Sequence, residues 1–377
     1  MAIRRLERVA TQVSWAASGS INLELAPKPY TITALVLILR PSVTTTTATW
    51  FNDPWDRIIS TLSLSGGGRS YLSFTNLRAA YHFTRFQLGR LLRGYKRPTV
   101  VGDSATTLVN QFAYVFHLGS KPAGADGEWD PWDLSAGIPP VSSGNLTLQG
   151  TFAAASAMGT NVTTADCDFD VYLFGVQPEP GDPPSLYLPK AFPAWSMQSP
   201  TPTATSSAFG TQHNVPAGHL LRAALVMLTN GTGAPRDDSV LNSFEVFYGL
   251  ENRQILAFGG QAGSVLDYKA AEIISQLEVG GWPPSDNVTT ALTAYASTSP
   301  GVPAITQPAD SGLLWLPLYK FTKVGKGHPL YGIDLRRVAT GDLSFRYGVS
   351  DATGVTMDVL YQQYDLNPEH PDNAGAA

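Results

Sequence analysis

The sequence predicts an all-β protein built of two tandem β domains, each carrying one short helix. Three observations carry this. Charged residues are 15% of the 377-residue chain, where an average soluble domain has roughly 25%, and 35 glycines and 28 prolines supply many turns. Apolar runs of strand length recur along the chain. Near the midpoint lies a segment dense in proline, serine and threonine, and the halves on either side of it repeat each other in order. The 43% hydrophobic content is enough to fill two cores and excludes disorder.

Residues 1–19 read as an N-terminal arm. Ile3, Leu6, Val9 and Val13 recur at spacings of three, three and four, which predicts one face of a short helix with Arg4, Arg5 and Arg8 on its flanks. The first domain is expected over 20–177. Thr31–Arg40 is a continuous apolar run, the pattern of a strand buried on both faces. Arg57–Ser65 alternates, Gly66-Gly67-Gly68 breaks it, and Arg69–Phe74 resumes it, which predicts a hairpin with a glycine loop. A helix is expected over 76–93, with Asn76 as N-cap and Gly94 as the stop. Further strands follow at Leu108–His117, Asn145–Phe152 and Asp168–Val176. Residues 178–205 hold PEPGDPPS and SPTPTATSS and read as an extended linker, because dense proline cannot join a sheet interior. The second domain is expected over 206–366, with a helix near 264–278, and 367–377 as a mobile polar tail.

The repeat is the strongest signal. Ala34–Leu39 (ALVLIL) matches Ala224–Thr229 (ALVMLT), 190 residues on. Arg69–Phe74 (RSYLSF) matches Arg253–Phe258 (RQILAF), 184 on, and a helix-like segment follows in both halves. Asn145–Leu148 matches Asp342–Phe345 at 197, and Phe169–Tyr172 matches Met357–Leu360 at 188. Ordered matches at nearly constant spacing imply a duplicated domain. Each half then holds about eight short strands, the count of a jelly roll in two sheets.

Chemical signatures are few. Six histidines are scattered with no metal-ligand spacing, and there is no phosphate loop and no nucleophile elbow, so no cofactor or metal is expected and no enzyme activity. The single cysteine, Cys167, excludes a disulfide framework within the chain, and no His or Lys beside it would activate the thiol. The net charge of −5 argues against sequence-specific nucleic-acid binding. The start has no long apolar run, so no secretory signal is expected, and the four Asn-x-Thr sequons, at Asn145, Asn161, Asn230 and Asn287, read as chance. Two clusters pair indoles with carboxylates: Trp50, Asp53, Trp55 and Asp56, and Trp129, Asp130, Trp132 and Asp133. They could stack sugars beside an acid pair. The preferred reading is loop anchoring, with Trp docked on a barrel and Asp capping a turn. Arg85, Arg90, Arg93, Lys96 and Arg97 fall within thirteen residues without an intervening acid. They form either a solvated helix face or a contact for a neighbouring subunit or an anionic surface.

Two tandem eight-stranded rolls, each with a helix after its fourth strand, joined by a linker and preceded by an arm, resemble the double jelly-roll major capsid proteins of tailless icosahedral viruses, which often enclose an internal membrane. RSYLSF with its helix and the paired strands carry the likeness, over about Ser20 to Leu366. The resemblance implies a non-enzymatic shell protein that forms homotrimers, pseudo-hexameric capsomers and then a lattice. It implies minor capsid or vertex proteins as further partners, a membrane beneath the shell, an N-terminal arm packed under the shell against a neighbouring capsomer or that anionic membrane surface, and a virion location after synthesis in the host cytoplasm. Arg4, Arg5, Arg8, Arg85, Arg90, Arg93, Arg97, Trp129 and Trp132 are the candidate interaction residues. The competing reading is a carbohydrate-binding or glycan-processing double jelly roll that uses the Trp/Asp loops.

Overall fold

The computed structural model describes residues 3–50, 54–88, 106–119, 130–140, 145–202, 204–206, 209–230, 240–259, 292–295, 305–307, 312–318, 332–350 and 354–373. The chain divides into two compact units. The first is Met1–Ser196 with Gly281–Ala309 and Tyr364–Ala377; the second is Met197–Gly280 with Asp310–Gln363.

The first unit contains β1 (Ile3–Ser14), β2 (Ser20–Leu25), β3 (Thr31–Trp50), β4 (Ile59–Gly66), β5 (Arg69–Phe74), α1 (Arg78–Leu88), β6 (Thr106–Val109), β7 (Phe112–His117), β8 (Leu146–Phe152) and β9 (Gly159–Gln177), then the short β10 (Ala191–Pro193) and β11 (Trp195–Gln198). One sheet runs β1-β9-β3-β6, and β7 also pairs with β3. β6 lies against Ser42–Thr45 and β7 against Ala34–Leu39, so the two are one strand broken in the middle. Pro41 explains the break. Its carbonyl accepts from the Asn110 N–H at 2.9 Å. In an antiparallel ladder a residue's N–H and C=O face the same neighbour, so the missing proline N–H falls on this partner too. The second sheet runs β2-β8-β4-β5. With β6 and β7 counted as one, the eight strands order first-eighth-third-sixth and second-seventh-fourth-fifth, which is a jelly roll.

Burial follows the alternation of side chains. Leu35, Leu37 and Leu39 face the core with Phe169, Val171 and Leu173, and all six are fully buried. The opposite face of β3 also carries apolar groups: Val36 packs with Val115, Ile38, Ala113, Tyr172 and Phe174. That is why Thr31–Arg40 reads as apolar throughout. The glycine hairpin forms as expected. Gly67 and Gly68 have φ of 56° and 76°, the positive values that a tight two-residue turn requires. α1 begins where Asn76 caps it, its Oδ1 accepting from the Ala79 N–H at 3.5 Å. Leu77, Ala80, Phe83 and Thr84 are buried beneath it. The expected extension to Arg93 lies outside the described residues.

The second unit contains β12 (Thr211–Asn214), β13 (Leu220–Asn230), β14 (Leu241–Tyr248) and β15 (Arg253–Gly259). The hairpin of β16 (Leu292–Tyr295) and β17 (Ile305–Gln307) falls in the part assigned to the first unit. Then come β18 (Leu313–Leu316), β19 (Ile333–Asp334), β20 (Leu343–Val349) and β21 (Val355–Leu366). One sheet runs β12-β20-β14-β15. In the other, β13 lies between β21 and β18 and also takes β19, a divided strand like β6 and β7. The expected helix at 264–278 lies outside the described residues.

The repeat is real, and most of its register is residue for residue. Leu64 stands opposite Leu72 and Leu148; Val246 stands opposite Leu256 and Phe345. A register shift follows immediately in both, between Leu64 and Ser65 and between Val246 and Phe247. The hexamer match needs a one-residue correction. Leu35, Leu37 and Leu39 line the first core, whereas Ala224, Val226 and Leu228 line the second. Leu35 therefore corresponds to Ala224, an offset of 224 − 35 = 189 rather than 190. A run apolar on both faces has no alternation to fix its phase.

Three further expectations change. The arm is not a helix: Ile3–Ser14 is a strand that pairs antiparallel with β9, from Ile3 opposite Gln177 to Ser14 opposite Asp168. Ile3, Val9, Thr11 and Val13 are β-branched, and the backbone bonds offered by β9 outweigh a short helix that could not stand alone. Within the expected linker, Ala191–Pro193 pairs with the end of β21, and Phe192 and Trp195 are buried. The tail is docked as far as Asn373, whose amide donates to the carbonyls of Lys190 and Asn367 at 2.8 and 2.7 Å.

Candidate assembly surfaces

The outer face of the β1-β9-β3 sheet gathers one group of candidate residues. β1 alternates, so Arg4, Leu6 and Arg8 share this face with Val176, Phe174 and Tyr172 of β9. The Arg4 guanidinium lies 4.7 Å from the centre of the Trp132 ring, and Trp132 meets Phe174 edge-on at 5.8 Å. The indole Nε1 donates to the Arg5 carbonyl at 3.4 Å. The loop carrying Trp132 is set by two acids. Asp130 Oδ1 accepts from the Trp132 N–H at 3.0 Å, and buried Asp133 accepts from both the N–H and the hydroxyl of Ser135.

Arg8 and Arg40 both grip Asp170, whose carboxylate is fully buried on β9. The Asp170 carboxylate holds the Arg40 guanidinium above its ordinary pKa. This cluster ties β1, β9 and β3 across their outer face. Neither Asp170 nor Arg40 stood out in the sequence, although an acid inside the apolar run FDVYLF was a usable sign. On the other side of β1, Glu7 accepts from Lys28 Nζ at 2.5 Å and from the Tyr30 hydroxyl at 2.8 Å. Partial burial opposes its charge, but those two donors outweigh it and keep the carboxyl below its usual range. Arg5 donates to Gln177 at 2.8 Å. The three arginines are thus engaged along a barrel strand rather than carried on a free arm.

The remaining candidates are placed as follows. Arg85 lies on α1. Arg90, Arg93, Lys96, Arg97 and Trp129 lie outside the described residues, and so does Asp53. Trp55 is 1% exposed, and Asp56 beside it is buried and accepts from the Tyr114 hydroxyl at 2.8 Å. A buried indole cannot stack on a sugar, and the acids of the second cluster are spent on turns. The described members of both clusters anchor loops. Among the described residues, no group of three or more His, Cys, Asp or Glu could hold a metal ion, and no helix is long and apolar enough to cross a membrane. Burial pushes the Cys167 thiol up to about 12, far from a reactive thiolate.

No family model matches the chain, and no curated protein matches it in sequence. Solved structures do. The chain is similar to the major capsid protein of Sulfolobus Turreted Icosahedral Virus, STIV, at 12% identity and a TM-score of 0.67, covering 100% of both chains. It is similar to the PBCV-1 virus capsid at 11% identity and a TM-score of 0.54, covering 97% of this chain and 94% of that one. It is similar to the Faustovirus major capsid protein at 7% identity and a TM-score of 0.54, covering 97% and 90%. The likeness at such identities is one of architecture, and it agrees with the strand orders traced above: this chain has the double jelly-roll fold of those viral capsid proteins.

Proposed function

We propose that this chain is a structural major capsid protein of an icosahedral virion. Three copies form a capsomer whose six rolls give a pseudo-hexagonal outline, and capsomers tile the shell. The observation that carries the reading is the pairing of two equivalent rolls in one chain, together with a full-length likeness to the STIV capsid protein at a TM-score of 0.67. On this reading the protein acts without catalysis, is made in the host cytoplasm and resides in the capsid shell. Minor capsid or vertex proteins, and a membrane lying beneath the shell, are its further partners. The basic run from Arg85 to Arg97 and the Trp132 loop serve as contacts between neighbouring subunits.

Sedimentation mass and negative-stain imaging of the concentrated protein test this. A trimer with hexagonal particles is expected. A chain that stays monomeric at high concentration and forms no particles overturns it.

A further inference from the structure

The two units differ at one sheet edge. In the first, the edge of β5 is taken: Trp195 and Ser196 pair with Leu72 and Ser73 in parallel. The Trp195 ring is buried edge-on against Phe83 of α1, with centroids 5.1 Å apart. β15 is the equivalent strand of the second unit. Among the described residues no strand lies beyond it, and Arg253, Gln254 and Ala257 are exposed. Among the described residues β1 is likewise the outermost strand of its sheet. None of its described side chains is buried, and Leu6 is 59% exposed. Open edges carry unpaired N–H and C=O groups and accept another strand.

Chain order says which edge belongs with which. Trp195 and Ser196 lead into the second roll and cover the fifth strand of the roll before it. β1 opens the first of the two rolls, and β15 is the fifth strand of the second. A second copy can bring them together as Trp195 and β5 are brought together here.

We propose that β1 of one copy adds in parallel to the outer edge of β15 in the next copy. Such a head-to-tail contact repeats until rotation closes a ring. With the trimer of the capsid reading, on which this inference rests, three such seams close it.

The repeat also gives the register. Phe169 and Met357 correspond, an offset of 357 − 169 = 188, so Tyr364 corresponds to Val176. Pro193 pairs with Tyr364, and Arg4 pairs with Val176. Pro193 therefore stands where Arg4 stands, and two residues on, Trp195 stands where Leu6 stands. Leu72 corresponds to Leu256. The seam then sets Leu6 opposite Leu256, as Trp195 is opposite Leu72, and it covers the exposed leucine. Arg4, Arg5, Glu7 and Arg8 keep the same edge from pairing indiscriminately before assembly.

The test is the full chain with Leu6→Cys and Leu256→Cys together, oxidised or bridged with dibromobimane at assembling concentration, with sedimentation mass measured in parallel. Cys167 is buried and does not compete. The expected result is a covalent trimer on a denaturing gel, while each single variant stays a monomer. A trimer by mass without the covalent product overturns the seam and leaves the capsid reading standing; a monomer by mass overturns both. Should the double variant not fold, hydrogen exchange on the unaltered chain decides. Amides in Ile3–Ser14 and Arg253–Gly259 should slow by about tenfold or more on assembly. Unchanged exchange in either segment overturns the proposal.

Discussion

Asp170 and Asp358 occupy the same place in the two rolls and are handled differently. Each sits one residue after a core position of the last strand, Phe169 and Met357, and each is almost fully buried. Asp170 holds two arginines, Arg8 from β1 and Arg40 from β3. Asp358 accepts from the Ser199 hydroxyl at 2.7 Å. The acid holds an equivalent place in both strands, and its partners differ with the segment that lies alongside. The inner face of a roll is set by packing, whereas the outer face is set by its neighbours.

Three measurements sharpen or break that contrast. The largest effect is expected at the acids themselves. Asp170→Ala removes two ion pairs, but Arg8 and Arg40 are 43% and 38% exposed and can hydrate. The loss should therefore be about 2–3 kcal/mol, below the full cost of a stranded buried charge. Asp358→Ala gives up a hydroxyl–carboxylate bond, worth about 1.5 kcal/mol. Urea unfolding followed by hydrogen exchange in β9 and in β21 separates the two units, and equal losses would end the distinction.

The hairpins between the fourth and fifth strands give the next effect. The first turns on Gly67 and Gly68; the second passes through Gly249–Glu251 to Asn252 at φ 45°. A methyl on Gly68 would touch nothing within 4 Å, so Gly68→Ala carries only the cost of φ 76°, about 1 kcal/mol. Asn252→Gly should be neutral or gain a few tenths of a kcal/mol, because asparagine already tolerates that region. Thermal unfolding of both variants checks the order.

The smallest effect is a difference in pH window. Glu7 is held below its usual 4.5, so its contribution to holding β1 is present above 4.5 and is lost as pH falls through the lowered value. His213, hydrogen-bonded to Tyr361 at 2.8 Å, is held below its usual 6.5 by burial. Its neutral form favours the fold, so that contribution is present above 6.5 and is lost as pH falls below it. Exchange in Thr211–Asn214 should therefore rise at a higher pH than exchange in Ile3–Ser14. Glu7→Gln and His213→Gln should each remove one response and leave the other. A shared window would refute the assignment.

Much of the fold was legible because alternation and glycine placement are local. RSYLSF and RQILAF announced equivalent strands, and the triple glycine announced its hairpin. The phase of ALVLIL was not legible, since both faces of that strand are apolar and a slip of one residue costs nothing in sequence. β1 was misread for a related reason: four apolar residues at helical spacing also fit a strand once β9 offers a partner, and the partner lies more than 150 residues away. The tail shows the same limit, for Asn367 and Asn373 look like solvated polar residues until the carbonyls of Pro189 and Lys190 are brought to them. Of the surface candidates, Arg4, Arg8 and Trp132 came together, while Asp170, the group that organises two arginines, is a strand residue that composition alone does not mark.

Cys167 has a consequence at the scale of a particle. The chain has one thiol; it is buried, and burial pushes its pKa up to about 12. Cys167 therefore offers no disulfide to another copy. On the capsid reading, a shell of such units has no disulfide to hold it, so a misplaced subunit can leave and be replaced during growth. On that reading the particle owes its persistence to the number of contacts that must open together rather than to the strength of any one of them.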